Sequence, residues 1–162
     1  MEKKIVYVDM DNVLVNFKSA LTQIDQKTKD EYTDPVTGKE NFDEIPGIFS
    51  LMDINKGAKE AITRIREMGY DLYILSTAPW KNPSAWSDKL KWVQQYFGAE
   101  KDDVFYKRII LSHHKNLCIG DYLIDDRTAN GAGEFEGTLI QFDKEHPEDE
   151  WTRIVKFLEE QF

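Results

Sequence analysis

The sequence predicts an α/β domain in three layers, with a central parallel sheet of about five strands and a small helical insertion after the first strand. Three observations lead there. Short apolar runs such as Ile5-Val6-Tyr7-Val8 alternate with stretches whose apolar residues recur at helical spacing. The runs are apolar on both faces, as strands covered on two sides must be. Four successive runs break off into carboxylates, hydroxyls or a lysine, and a parallel sheet collects such strand ends at one edge, where ligands gather.

The first strand stops abruptly at Asp9-Met10-Asp11-Asn12. Asn tolerates positive φ, so a sharp turn is expected there. Phe17, Ala20, Leu21 and Ile24 then fall on one helical face, and from Asp25 to Pro46 the chain turns polar, with a turn at Asp34-Pro35-Val36-Thr37-Gly38. Residues 14–49 are therefore expected to form a small cap lying over the sheet's rim. That leaves 1–13 and 50–162 as the core domain.

Ala58, Ala61, Ile62, Ile65 and Met68 form the next helical stripe, with Asn55 placed as its N-cap and Gly69 as its stop. A second strand, Tyr70 to Leu75, runs into Ser76-Thr77. The stripe Trp86, Leu90, Val93, Phe97 predicts a helix closed by Gly98. Arg108 to Leu111 is a short third strand leading to Ser112-His113-His114-Lys115. Tyr122-Leu123-Ile124 leads to Asp125-Asp126-Arg127, and Thr138 to Phe142 is the fifth strand. Trp151, Ile154, Val155, Leu158 and Phe162 mark a last amphipathic helix, whose start lies in the acidic run from Glu145 to Glu150, as the helix dipole favours.

Length and composition bound the function. At 162 residues the chain is the size of one domain with an insertion, large enough to bury a core. A formal charge of −9 excludes a broad grip on polymeric nucleic acid, which needs a basic face, yet leaves room for a small phosphorylated partner. Cys118 is the single cysteine, so no disulfide framework exists, and it is expected to be a small buried residue. No apolar run approaches membrane-spanning length. A cytoplasmic enzyme or binding domain is expected, with no membrane partner.

The strand ends supply the chemistry. Asp9 and the pair Asp125-Asp126 offer hard oxygen ligands for Mg²⁺. Ser76 or Thr77 offers a hydroxyl, and Lys115 a compact positive charge for a phosphoryl group. Asp11, two residues from Asp9, is left to move a proton. These parts suit phosphoryl transfer through an aspartyl-phosphate: Asp9 attacks phosphorus while Mg²⁺ and Lys115 screen the anions. Asp11 then protonates the leaving alkoxide and later deprotonates the hydrolytic water. His113-His114 has no third ligand at metal spacing and is expected to flank Lys115 in a loop. Gly131-Ala132-Gly133 lacks the setting of a dinucleotide loop and is expected to be a flexible connection.

Taken together, Val8-Asp9-Met10-Asp11-Asn12-Val13-Leu14, Ile74-Leu75-Ser76-Thr77, Lys115 and Leu123-Ile124-Asp125-Asp126-Arg127 resemble the four motifs of the haloacid-dehalogenase-like (HAD) phosphohydrolases. Within that superfamily the Asp-Met-Asp-Asn-Val-Leu stretch, Tyr96-Phe97-Gly98 and Leu-Ile-Asp-Asp-Arg are similar to the 5′(3′)-deoxyribonucleotidases. The resemblance implies a Rossmann-like sheet ordered 5-4-1-2-3 with a small helical cap. It implies Asp9 as nucleophile, Asp11 as acid/base, and a Mg²⁺ site that the Asp11 main-chain carbonyl joins. The expected substrate is a deoxyribonucleoside monophosphate, and the resemblance implies aromatic residues around its base: Phe17, Phe49, Trp80 and Trp86 are the candidates, of which Phe17 and Trp86 equally fit helix core faces. Asn12 stands where the superfamily more often has Gly, an exchange the backbone argument allows. The alternatives are a phosphatase of a sugar phosphate or other metabolite, or, outside enzymes, a phospho-Asp signalling module or an inactive binding protein. In a signalling receiver the acidic pair comes early and the acceptor later; here the pair is late.

Overall fold

Five parallel strands carry the molecule, and their order follows from two crossover directions. The computed structural model describes residues 2–162. Strands β1 (Ile5–Val8), β4 (Asp71–Ser76), β5 (Ile109–Leu111), β6 (Tyr122–Asp125) and β7 (Thr138–Gln141) pair in the order β5-β4-β1-β6-β7, all parallel. Numbering only these five along the chain gives the order 5-4-1-2-3 that the resemblance implies. Between β1 and β4 lie β2 (Val15–Asn16), α1 (Phe17–Leu21), α2 (Gln26–Glu31), β3 (Asp53–Ile54) and α3 (Ala58–Glu67). Helix α4 (Pro83–Phe97) joins β4 to β5, and α5 (Pro147–Glu160) ends the chain.

Alternation along each strand builds two cores. Val6, Val8, Leu72, Ile74, Tyr122 and Ile124 point to the larger one, with buried residues of α3, α4 and α5. Each such side chain contributes roughly 1.5–3 kcal/mol by leaving water. Tyr7, Leu75 and Leu123 point the other way, onto Ala132 and Phe135. That thinner layer is made from short 3₁₀ turns, Lys115–Leu117 and Ala132–Glu134. Cys118 is half-buried against it.

The polar excursion after β1 stays out of the main sheet. Its base is closed by the antiparallel ribbon β2-β3, Val15 opposite Ile54 and Asn16 opposite Asp53. The four-residue apolar pattern from Phe17 to Ile24 outruns α1, which ends at Leu21; Ile24 lies in the bend before Asp25, which caps α2 by accepting from the Thr28 amide at 2.7 Å. The turn at Asp34 forms as expected, its carboxylate accepting from the Val36 and Thr37 amides at 2.8 and 3.0 Å.

Three details differ from the sequence pattern. Asn55 does not cap α3; Gly57 occupies that position at φ 87°, and the buried Asn55 side chain donates to the Val13 carbonyl at 2.9 Å instead. Phe162 lies beyond α5 and is exposed, its ring edge to face with Tyr70 at 4.8 Å. Helix α4 buries Ala85, Lys89, Trp92, Val93 and Phe97, leaving Leu90 and much of Trp86 outside. Adjacent helical residues lie about 100° apart, so the two stripes overlap, and the partner waiting for Lys89 decides between them. Among the described residues no helix is long and apolar enough to cross a membrane.

Candidate active site

The register aligns the strand ends that matter. Val8 lies between Ile74 of β4 and Ile124 of β6, and the Asp9 amide donates to the Ile124 carbonyl at 2.9 Å. Asp9 therefore emerges beside Asp125, the last residue of β6. Asn12 then adopts φ 65°, the left-handed turn its residue type allows, and its amide donates to the Val15 carbonyl at 2.8 Å. The turn brings Val15 back beside Asp11 as an isolated bridge.

One carboxylate oxygen each from Asp9, Asp125 and Asp126 lies within 4.8 Å of the others. Asp9 and Asp125 are buried and Asp126 is half-buried. The Lys115 ammonium, also buried, sits 2.6 Å from Asp125 Oδ2 and 3.2 Å from Asp9 Oδ1. Burial works against the Lys115 charge, but Asp9 and Asp125 outweigh it and raise its pKa. Burial and the neighbouring Asp9 charge push Asp125 up to about 7, against the pull of Lys115. Burial and Asp9 also raise Asp126, which Arg127 and an Asn12 amide at 3.4 Å oppose.

Three carboxylates against one ammonium leave a surplus of negative charge inside a buried pocket. A divalent cation with hard oxygen preference resolves such a surplus. The donor set of Asp9, Asp125 and Asp126 fits one, and Asp125 also accepts from Lys115 and from the Arg127 amide at 3.0 Å.

The Asp11 carboxylate stands apart from this cluster. Its partner is Lys89, a fully buried lysine on α4, whose ammonium is 3.2 Å from each Asp11 oxygen. Burial raises the Asp11 pKa, Lys89 opposes that rise, and the charge of Asp9 adds to it. Lys89 also donates to Ser76 Oγ and the Thr77 carbonyl, both at 2.9 Å, and lies 4.6 Å above the Phe49 ring. The sequence reading missed Lys89. The available signal was a lone lysine in line with Ala85 and Trp92 at helical spacing.

The two hydroxyls after β4 separate clearly. Ser76 is fully buried, and its oxygen is taken by Lys89. Thr77 lines a hollow of about 320 Å³ together with Asp11, Trp80, Lys81, His113 and Arg127. Asp43 and Glu44 of the excursion close its far wall. Phe17 and Phe49 do not reach this mouth: Phe49 is buried and the two rings meet edge to face at 6.0 Å. Trp80 is 81% exposed at the mouth, its ring braced against His113 at 6.1 Å, and His113 lies 6.4 Å from Trp86. The two histidines thus join no metal group among the described residues.

Gly131 is tightly held where a flexible connection was expected. It takes φ 80°, and a β-carbon there would collide with Asn116 Oδ1 and lie 3.0 Å from the Lys115 and Asn116 amides. The Lys115 amide also donates to the Asn130 carbonyl at 2.8 Å. Only glycine lets this turn brace the lysine loop so closely.

Comparisons with known proteins give the family. Residues 3–156 match the family model for 5′ nucleotidase, deoxy (pyrimidine), cytosolic type C protein. A protein of Vibrio phage KVP40, provisionally named a 5′(3′)-deoxyribonucleotidase, is 48% identical over 157 residues, covering 97% of this chain and 85% of its own. The human cytosolic-type 5′(3′)-deoxyribonucleotidase is 28% identical over 152 residues, covering 80% of this chain and 74% of its own. A crystal structure from Bacteroides fragilis, provisionally described as a haloacid dehalogenase-like hydrolase, superposes with a TM-score of 0.52 over 88% of this chain and 89% of that one. At 14% identity that likeness speaks for the fold alone.

Proposed function

Since the chain belongs to the 5′ nucleotidase, deoxy (pyrimidine), cytosolic type C family, we propose that it hydrolyses the phosphate ester of deoxyribonucleoside monophosphates through a phosphorylated Asp9. The observation that carries the reading is the convergence of Asp9, Asp125, Asp126 and Lys115 at one end of the sheet, with Asp11 held apart by Lys89.

In this reading an Asp9 carboxylate oxygen attacks phosphorus, forming the Asp9–phosphate bond as the bond to the leaving oxygen breaks. Asp11, protonated, gives its proton to that oxygen. It then takes a proton from the water that attacks phosphorus, which returns Asp9 as a free carboxylate and releases phosphate. The lowered acidity that burial confers on Asp11 suits a group that must donate first. Lys115 fixes one oxygen of Asp9 and offers charge to the phosphoryl group. Thr77 lines the mouth, its hydroxyl donating to the Ser112 carbonyl at 2.7 Å, so it would turn that proton to a phosphate oxygen only by giving up this bond. Ser76 supports Lys89 instead.

Mg²⁺ is the proposed cation, held by Asp9 and Asp126 with Asp125 behind them and, on the family resemblance, the Asp11 main-chain carbonyl. When bound it screens charge between the nucleophile and the phosphate oxygens. Residues 14–49 are proposed as the cap, bringing Asp43 and Glu44 over the mouth. Trp80 is the proposed resting place for the base.

A screen of phosphate release from deoxynucleoside monophosphates and sugar phosphates, with and without Mg²⁺, tests the substrate class. Asp9→Asn should reduce turnover below detection while circular dichroism stays that of the wild type. Near-wild-type turnover in that variant would remove the mechanism.

A further inference from the structure

We propose a second anion site at the opposite end of the sheet from Asp9, suited to an oligophosphate chain. A hollow of about 270 Å³ opens beside the amino ends of β1, β4 and β5. Its walls carry four cations, Lys3, Arg66, Lys101 and Arg108, against two carboxylates, Asp71 and Asp103. A neighbouring hollow of about 380 Å³ shares Arg66, Asp103 and Val104 and adds Lys59, so one groove continues between the ends of α3 and α4.

Both carboxylates already have work. Asp71 pairs with Arg108 at 3.1 Å, and Asp103 accepts from the Glu100 amide at 2.8 Å. Arg66 uses one nitrogen on the Asp102 carbonyl at 2.6 Å, and its remaining donors are free for a ligand. Lys3, Lys59 and Lys101 form no ion pair within 4 Å among the described residues. The carboxyl ends of α3 and α4 also face this groove and favour positive charge, which explains Arg66. They do not explain Lys3 or Lys101, which belong to neither helix.

The groove therefore concentrates three more cations than carboxylates in a chain with 30 acidic and 21 basic residues. Cations spread along two adjoining hollows match several anionic oxygens in a row better than one compact anion. A guanidinium beside lysines is the usual partner set for phosphate oxygens. The chain of linked phosphates in tripolyphosphate or in a nucleoside triphosphate has that form. Asp71 and Ser76 stand at the two ends of β4, roughly 17 Å apart along an extended strand. A ligand in the groove should not compete with substrate.

Calorimetric titration with inorganic tripolyphosphate, and separately with a deoxynucleoside triphosphate, tests the site. It is done in chelator, where the unscreened Asp9, Asp125 and Asp126 repel anions from the active site. Binding is expected for the wild type, with affinity falling steeply from 50 to 300 mM salt. Lys3→Gln with Lys101→Gln should weaken it at least tenfold, and so should Arg66→Gln, while Mg²⁺-dependent monophosphate hydrolysis stays within twofold. Equal affinity for both probes assigns the site to the phosphate chain alone; tighter binding of the nucleotide assigns it to a nucleoside triphosphate. No binding, unchanged affinity in the exposed-lysine double variant, or competition with the monophosphate substrate would overturn the proposal. None of these results depends on which monophosphate the enzyme prefers.

Discussion

Lys89 and Asp11 meet across the interface between α4 and the turn after β1, with the ammonium 3.2 Å from both carboxylate oxygens. The lysine is fully buried and the carboxylate side chain 21% exposed, so the pair fixes the proposed acid/base group while leaving it open to the mouth. Lys89→Met keeps the length and removes the charge. It should lower kcat about 10- to 100-fold, the cost of a misplaced proton donor, with a smaller change in KM. Steady-state kinetics at fixed Mg²⁺ checks this, and Lys89→Arg should recover part of the loss. A KM effect without a kcat effect would instead make Lys89 a substrate-binding residue.

Metal-free stability should fall as pH rises from about 4 to about 7. Asp125 is pushed up to about 7, and Asp11 and Asp126 are also raised. The folded chain then holds protons that the unfolded chain, with ordinary carboxylates near 3.9, has lost; where the native state binds more protons, stability declines with pH. Lys115, also raised, stays charged throughout this window. Mg²⁺ relieves the carboxylate repulsion and competes with those protons. Its increment in Tm should be larger at pH 8 than at pH 5. Equal increments at both would contradict the proposed ligand set.

Gly131→Ala should damage both fold and catalysis. At φ 80° a β-carbon costs about 1–2 kcal/mol before any collision, and here it strikes Asn116 beside Lys115. Thermal melts should show the loss in Tm. A fall in kcat beyond the loss of folded protein would show that the brace on Lys115 has shifted.

Trp80→Ala separates binding from chemistry. The side chain is largely exposed, so Tm should hardly move. KM for a deoxynucleoside monophosphate should rise about 3- to 10-fold, matching the roughly 0.5–1.5 kcal/mol of an aromatic stack. Glycerol phosphate, which has no ring to stack, should be hydrolysed equally by both proteins.

Local pattern was enough for the strands, most helices and the aspartates that cluster at the sheet's edge. A buried parallel strand announces itself by continuous apolar residues, and whatever follows its carboxyl end must appear at the sheet's active edge. Asp9, Thr77, Lys115 and Asp125 are legible for that reason, and Asn12 because positive φ is a property of the residue itself. Side-chain availability is another matter. Ser76 and Thr77 are neighbours with similar hydroxyls, yet strand alternation buries one and turns the other to the mouth.

The sequence by itself determined the fold class and which strand ends gather charged side chains, because both follow from short-range periodicity. The tertiary structure alone decided that Lys89 belongs inside, that Phe49 is packing and Trp80 is surface, and that Gly131 is a brace. Those outcomes depend on contacts between residues far apart in the chain: Lys89 with Asp11, Phe49 with Phe17, Trp80 with His113 and Gly131 with Asn116. A buried charge is tolerated only where its counter-charge arrives, and no local pattern reports that arrival.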